Sequence, residues 1–293
     1  MIENIIILGL ISSAVYALLS IGFTLVYGVA NVINMAHGVL FMLGAYMFYF
    51  FGPLGFFELD LIVALILAII VVGIAGATIY RLMIHPVVED ALASIVVTLG
   101  AAMIVQQIIY IVFGGAHRAV PPFTSGSIII LGVPVTYSKL IALGVSLALI
   151  AITAIFIAKA KIGKAMRAVS QDREVAMLMG INTTRLYILT MAMSASLASI
   201  AGIFIASSTT QVAEPHMWLH PLGMAFAIVI LGGLGSIKGT VIGAFIVGYA
   251  ETAVTTLIPG GSFLRGAVAL AIMVAVLLLR PKGLFGKRIE LEE

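Results

Sequence analysis

Along this chain the apolar residues come in runs too long for the interior of an ordinary soluble fold. Nine stretches, at about 5–27, 32–51, 59–80, 91–113, 138–158, 187–209, 219–236, 238–258 and 263–280, are apolar nearly throughout. A helix needs roughly 20 such residues to cross a hydrocarbon core of about 30 Å. The second and seventh runs are interrupted by Gly, Asn or His, which predicts broken or re-entrant segments, so eight to ten crossings are expected. The first run carries Glu3 in place of a basic start and continues as a long apolar helix, so it is expected to stay in the mature protein. The expected fold is an all-α integral membrane protein, a polytopic helical bundle forming one transmembrane domain over 1–293.

Composition and charge sharpen this picture. Of 293 residues, 62% are apolar and 9% charged, against about a quarter charged in a soluble domain. Too few charges remain to cover a water-facing surface. Nucleic-acid binding and a long soluble catalytic domain are not expected. The absence of cysteine excludes disulfides, thiolate metal sites and cysteine nucleophiles. Ten of the 15 Lys and Arg fall in two places: Lys159, Lys161, Lys164, Arg167, Arg173 and Arg185 in one loop, and Arg280, Lys282, Lys287 and Arg288 after the last run. Four crossings separate the clusters, so both can face the cytoplasm. Arg81 and Lys238 then also lie inside, and Arg118, Lys139 and Arg265 outside. Nine crossings place the N-terminus outside and the C-terminus in the cytoplasm.

Most connections are short, but 159–186 is a polar island. Ala165, Met166, Val169, Ala176 and Met179 recur at helical intervals, with Lys164, Arg167, Asp172 and Arg173 between them. That pattern predicts a short amphipathic helix outside the bilayer. Gly180 suits a C-cap and Asn182 or Thr183 an N-cap. Basic residues alone satisfy a topological loop; the small apolar knob also suits docking into another protein's groove.

Glu174-Val-Ala176-x-x-x-Gly180 resembles the E-x-A-x-x-x-G core of the coupling loop in permease subunits of ABC importers. Gly163 to Asp172, including Arg167, is similar to the version in branched-chain amino acid permeases. Two further stretches resemble the same family: Asn31-Val-Ile-Asn34-Met-Ala-His37-Gly38, followed by Met42-Leu-Gly44-Ala45-Tyr46, and Gly232-Gly-Leu-Gly235-Ser236-Ile-Lys-Gly239-x-x-x-Gly243-Ala, with Glu251 beyond it. The three together run the length of the chain in order. The resemblance implies a permease of the cell inner membrane for leucine, isoleucine, valine or a related small amino acid. It implies ABC ATPase subunits that bind the ATP, a second and different homologous permease subunit, and an extracytoplasmic solute-binding protein. Coupling would fall to Gly163, Arg167, Asp172, Glu174, Ala176 and Gly180. No cofactor is expected on this chain and no enzymatic activity. The nearest approach to a phosphate loop, Ile162-Gly163-Lys164-Ala165, lacks the earlier glycine and the Ser or Thr after Lys.

Within the runs, Asn31, Asn34 and His37 sit where spans one and two meet, and an unwound segment there would present polar groups either to a translocation path or to helix ends. Thr98, Gln106 and Gln107 lie in span four, as cross-helix bonds or path contacts. Gly235, Gly239 and Gly243, four apart, form a flat stripe for close helix packing. Gly232 and Gly233 suggest a backbone break. Glu251, the one acid well inside a run, is expected to play a structural part, pairing with Arg265 or a partner subunit's base, or to sit near headgroups. His216 and His220 are bracketed by Pro215 and Pro221 and fit a surface loop better than a metal site. An ion-coupled secondary transporter or a channel for a small solute such as urea or an amide is the alternative. It would need paired acids or broken helices in two related halves, and no repeat is apparent.

Overall fold

The computed structural model describes residues 1–208, 214–280 and 282–286; Lys287 and Arg288 of the C-terminal basic cluster lie outside them. Eleven helices and one hairpin follow in order: α1 (Ile2–Ala30), α2 (His37–Phe51), α3 (Leu61–Ile79), α4 (Ala91–Phe113), β1 (Ser127–Ile130), β2 (Val133–Thr136), α5 (Tyr137–Lys159), α6 (Lys161–Val169), α7 (Arg173–Leu178), α8 (Thr183–Ser208), α9 (Leu219–Gly232), α10 (Ile237–Leu257) and α11 (Arg265–Leu279). A π-turn at Tyr80–Ile84 and a 3-10 turn at His85–Val87 prolong α3.

Among the described residues, seven helices are long and apolar enough to cross a membrane. They are apolar all round because in lipid a helix satisfies its own backbone and needs no polar face. Where helices start in polar surroundings, short acceptors cap them. Asp60 Oδ1 accepts from the Ile62 amide at 2.8 Å, and Asp90 Oδ1 from those of Leu92 and Ala93.

The two interrupted runs are the two short helices. α2 has 15 residues and α9 has 14, about 22 Å each at 1.5 Å per residue, too short to cross alone. After α1 ends, residues 31–36 fold back along it without forming a helix. The His37 ring reaches the Leu19 carbonyl at 2.9 Å, so α2 begins level with the middle of α1. The start of α9 lies at the same level: a Cβ on Gly38 would meet Leu222 Cβ at 2.7 Å and the Trp218 carbonyl at 2.9 Å. Two helix N-termini therefore meet within the bundle.

Helix α1 is central, packed by α8, α10, α2, α5 and α9. α2 lies against α8 at glycines. A Cβ on Gly44 would fall 2.5 Å from Ser199 Cα, and one on Gly202 would overlap the Phe41 carbonyl, the small-residue packing that membrane helices use in place of a hydrophobic drive. Helix α11 packs on α9 and α10 but buries only Ala269 fully, as a helix at the lipid-facing rim does. The hairpin is an addition to the expected all-helical fold. It turns through Leu131 and Gly132, both at positive φ, and Val133 and Val135 pack on Ile7 and Ile11 at the start of α1.

Candidate functional site

The polar island is two helices, not one. α6 and α7 are separated at Ser170–Asp172 and joined to the bundle at both ends. Gly163 lies so close to α5 that a Cβ would sit 2.6 Å from Ile157 Cα. Arg167 donates to the Ala158 carbonyl at 3.0 Å, closing the C-terminus of α5. Asp172 Oδ1 caps α7 through the Val175 amide at 2.9 Å. The far end of α7 is a Schellman motif: the Ile181 amide donates to Ala176 O at 3.1 Å and the Gly180 amide to Met177 O at 2.9 Å. Gly180 holds φ +84° there, a conformation costly for a residue with a Cβ. Asn182 Oδ1 then caps α8 through the Arg185 amide. Arg173 reaches Glu89 at 3.4 Å, an exposed pair of little energetic weight. Glu174 is exposed on α7.

The apolar knob expected from the sequence is divided by this geometry. Met166, Val169 and Ala176 are buried against the bundle and attach the segment instead of presenting it. The outward apolar surface is Val175, Met177, Leu178 and Met179, with Leu178 86% and Met179 79% exposed. Of the predicted stripe only Met179 points outward. Met179 differs because it is the C-cap of α7, where the helix ends.

Residues 31–36 are unwound, and the side chains of Asn34 and of His37, at the start of α2, are bonded within the protein, while that of Asn31 is exposed. Asn31 forms the left-handed C-cap of α1. Asn34 Oδ1 accepts from the Ala36 amide at 3.0 Å, and Thr98 Oγ1 accepts from the Met35 amide at 3.1 Å. The His37 ring bonds Leu19 O and Ser194 Oγ. Gln106 accepts from the Trp218 indole at 2.6 Å, and Gln107 is exposed on α4. None of these six lines either of the two cavities described below. Non-helical backbone inside a membrane is tolerated where protein satisfies it, and here protein does.

The glycine stripe is also divided. Gly235 precedes α10, at φ +79°, with its Cα near Gly28 of α1. Gly239 abuts the Gly232 backbone, and a Cβ on Gly243 would lie 2.8 Å from the Ile228 carbonyl. α9 and α10 thus form a tight antiparallel pair. The break falls at Gly233, and Ser236 Oγ caps α10 through the Gly239 amide at 3.2 Å. The Leu284 and Phe285 amides donate to Leu231 O and Gly232 O, closing the C-terminal segment over this turn.

Glu251 is 5% exposed. Its Oε1 accepts from the Tyr16 hydroxyl at 3.3 Å and faces Arg265 Nε at 3.6 Å. It lines a cavity of about 800 Å³ at the end of the bundle opposite α6 and α7, bounded by α1, the first turn of α9, and the facing ends of α10 and α11. His216 and His220 both line this cavity: His216 is exposed in the turn before α9, as expected of a surface loop, whereas His220 lies within α9. No group of three or more metal-ligating side chains occurs among the described residues. A smaller cavity, about 270 Å³, lies at the other end between α1, α6 and the start of α10, beside Arg167 and Lys238.

A family model described as branched-chain amino acid transport system / permease component matches residues 5–277. The chain belongs to this family. The permease is 32% identical to the high-affinity branched-chain amino acid transport system permease protein LivH of Salmonella typhimurium, over 95% of this chain and 94% of that one. It is 29% identical to BraD of Pseudomonas aeruginosa, which has the same description, over 95% and 94%. Among solved structures, a chain of PsaBC from Streptococcus pneumoniae in complex with Fab superposes with a TM-score of 0.50 at 14% identity, covering 96% of this permease and 92% of that chain. That likeness concerns the fold alone. The family resemblance of the sequence motifs is thus matched by the whole chain. The sequence did not signal Leu178 as the most exposed apolar residue of α7, or Tyr16 as a partner of Glu251; an uncharged Leu-Met pair at the end of a polar segment was the one available sign of the first.

Proposed function

We propose that this permease carries branched-chain amino acids across the cell inner membrane, inward, as one subunit of an ATP-driven importer. The substrate class follows the printed descriptions of LivH and BraD, whose lengths this chain matches almost fully. The observation that carries the coupling is α7. It is a short helix capped at both ends, joined through α6 to α5 and through its Schellman turn to α8, that exposes Val175, Met177, Leu178 and Met179. Exposed apolar residues on a solvated segment mark a protein contact, and the bundle has no nucleotide loop of its own. Separate ATPase subunits would receive α7 in a groove, and their closure would move α5 and α8 as rigid bodies. A second, homologous permease subunit and an extracytoplasmic binding protein complete the assembly in this reading. Arg81, the α6–α7 segment, Lys238, Arg280 and Lys282 lie at the same end of the bundle, which supports a cytoplasmic position for that end and for the C-terminus, with the N-terminus outside.

The test is copurification and uptake. Glu174→Ala and Gly180→Trp should insert normally yet recover less ATPase and take up less leucine in reconstituted vesicles. Full ATPase recovery and full uptake by both variants would overturn the assignment of residues 174–180. ATP-independent leucine flux through the permease alone would favour a secondary transporter instead.

A further inference from the structure

We propose that the 800 Å³ cavity opposite the coupling segment is a recognition site within the permease for the head group of a zwitterionic amino acid. Glu251 would receive the ammonium group, and Arg265 and Lys139 would face the carboxylate. The inference rests on the proposed import of amino acids and adds where this chain itself would read them.

The charge pattern of the wall is the first support. Glu251, Arg265 and Lys139 line one cavity, so both signs meet there, as a zwitterion requires and a sugar or an anion does not. The state of Glu251 is the second. A carboxylate inside a membrane span is costly unless paired and hydrogen-bonded. Here Oε1 is shared between Tyr16 and a single guanidinium nitrogen at 3.6 Å, while Oε2 is buried with no partner. The other buried side-chain atoms without partners in the spans are neutral hydroxyls, of Ser13, Ser20, Tyr80, Ser146 and Ser199. A pair serving only to hold α10 against α11 would be expected to be bidentate, since that geometry offsets the desolvation of both ions. This one is long, one-sided, and leaves acceptor capacity for an ammonium donor. Arg265 is 46% exposed, free enough to turn from Glu251 toward an incoming carboxylate.

Size and lining are the third. Ligand pockets of roughly 300–1,000 Å³ are walled mainly by apolar side chains with a few placed polar groups. Ile11, Val15, Phe41 and Ile205 supply such a wall beside the charged group, suited to a branched aliphatic side chain. The first turn of α9 also belongs to the wall. Its N-terminal dipole end favours a carboxylate over an ammonium group there.

The experiment is a titration of the intact detergent-solubilised assembly, free of solute-binding protein, with leucine and with 4-methylpentanoate, which lacks only the ammonium group. The wild-type assembly should bind leucine at least about tenfold more tightly than 4-methylpentanoate. In Glu251→Gln that preference should fall to within about twofold. Removing the carboxylate alone leaves the Arg265 charge facing a neutral group and can impair assembly. The double variant Glu251→Gln/Arg265→Gln leaves no lone charge and should show the same loss of preference. A variant assembly that keeps the tenfold preference, or a wild-type assembly that imports leucine but binds it nowhere in this titration, would overturn the site while leaving the import function standing. A complete wild-type assembly that imports no branched-chain amino acid would overturn the function itself, and the site with it.

Discussion

Two polar islands interrupt the apolar runs of this chain, and they are built in opposite ways. In residues 31–37 Asn31 is exposed, but the buried Asn34 and His37 turn their side chains inward, to Met191, Leu19, Ser194 and the backbone of the segment itself. Residues 161–180 lie outside the bundle, and although Met166, Val169 and Ala176 pack against it, Val175, Met177, Leu178 and Met179 face outward. The difference follows from solvent. In hydrocarbon a lone polar group costs several kcal/mol, so the protein closes its own bonds there. In water an exposed Leu or Met is a modest penalty, and a patch of them persists where a partner covers it. In the inner island Asn34 and His37 therefore hold the bundle together, whereas the outer island leaves an apolar patch uncovered.

The sharpest way to break this comparison is to put charge on the outward patch. Leu178→Asp with Met179→Asp should reduce ATPase recovery by about thirtyfold, the scale of an interface hot spot at about 2 kcal/mol, while the thermal midpoint of the solubilised permease stays unchanged. Loss of folding would show that the patch packs internally. The inner island should respond in the reverse sense. His37→Leu leaves the Ser194 hydroxyl buried without its ring partner and should destabilise the permease by about 1–3 kcal/mol, read in a melting series, with ATPase docking by the folded fraction intact. Gly180→Val forces a branched residue into a left-handed cap, costing about 1–2 kcal/mol, and should weaken docking several-fold because the Schellman bonds fix the exit of α7. Thr98→Val removes one acceptor for the Met35 amide and should cost about 1 kcal/mol. Gln107→Leu, on the exposed face of α4, should change stability by less than about 0.5 kcal/mol. A larger loss there would mark α4 as a contact with another subunit.

The helices were legible in the sequence because apolar length alone specifies a membrane span. The two runs with Gly, Asn and His interruptions are the two helices that fail to cross, so even their irregularity was visible. The local caps were legible for the same kind of reason: Asp172, Gly180 and Asn182 act within a few residues of where they stand. What was hidden depends on distant partners. Met166, Val169 and Ala176 keep one face across the break at 170–172, but that face meets the bundle, and spacing alone does not say which surface an apolar stripe will cover. Gly235 falls before the helix that Gly239 and Gly243 belong to, because Ser236 caps α10 just after it. The meeting of α2 with α9 at Gly38 and Trp218 joins residues far apart in sequence with no shared motif. The cavity around Glu251 draws on α1, α9, α10 and α11 at once, and no spacing along one segment announces it.

The absence of native cysteine allows the central claim to be tested directly. A cysteine placed by Leu178→Cys, in the assembled importer, is the natural cross-linking probe for what covers α7. A cross-link should form from this position to an ATPase subunit, and none from a cysteine placed by Gln107→Cys. A Leu178→Cys protein that assembles and imports leucine yet cross-links to no ATPase would contradict it.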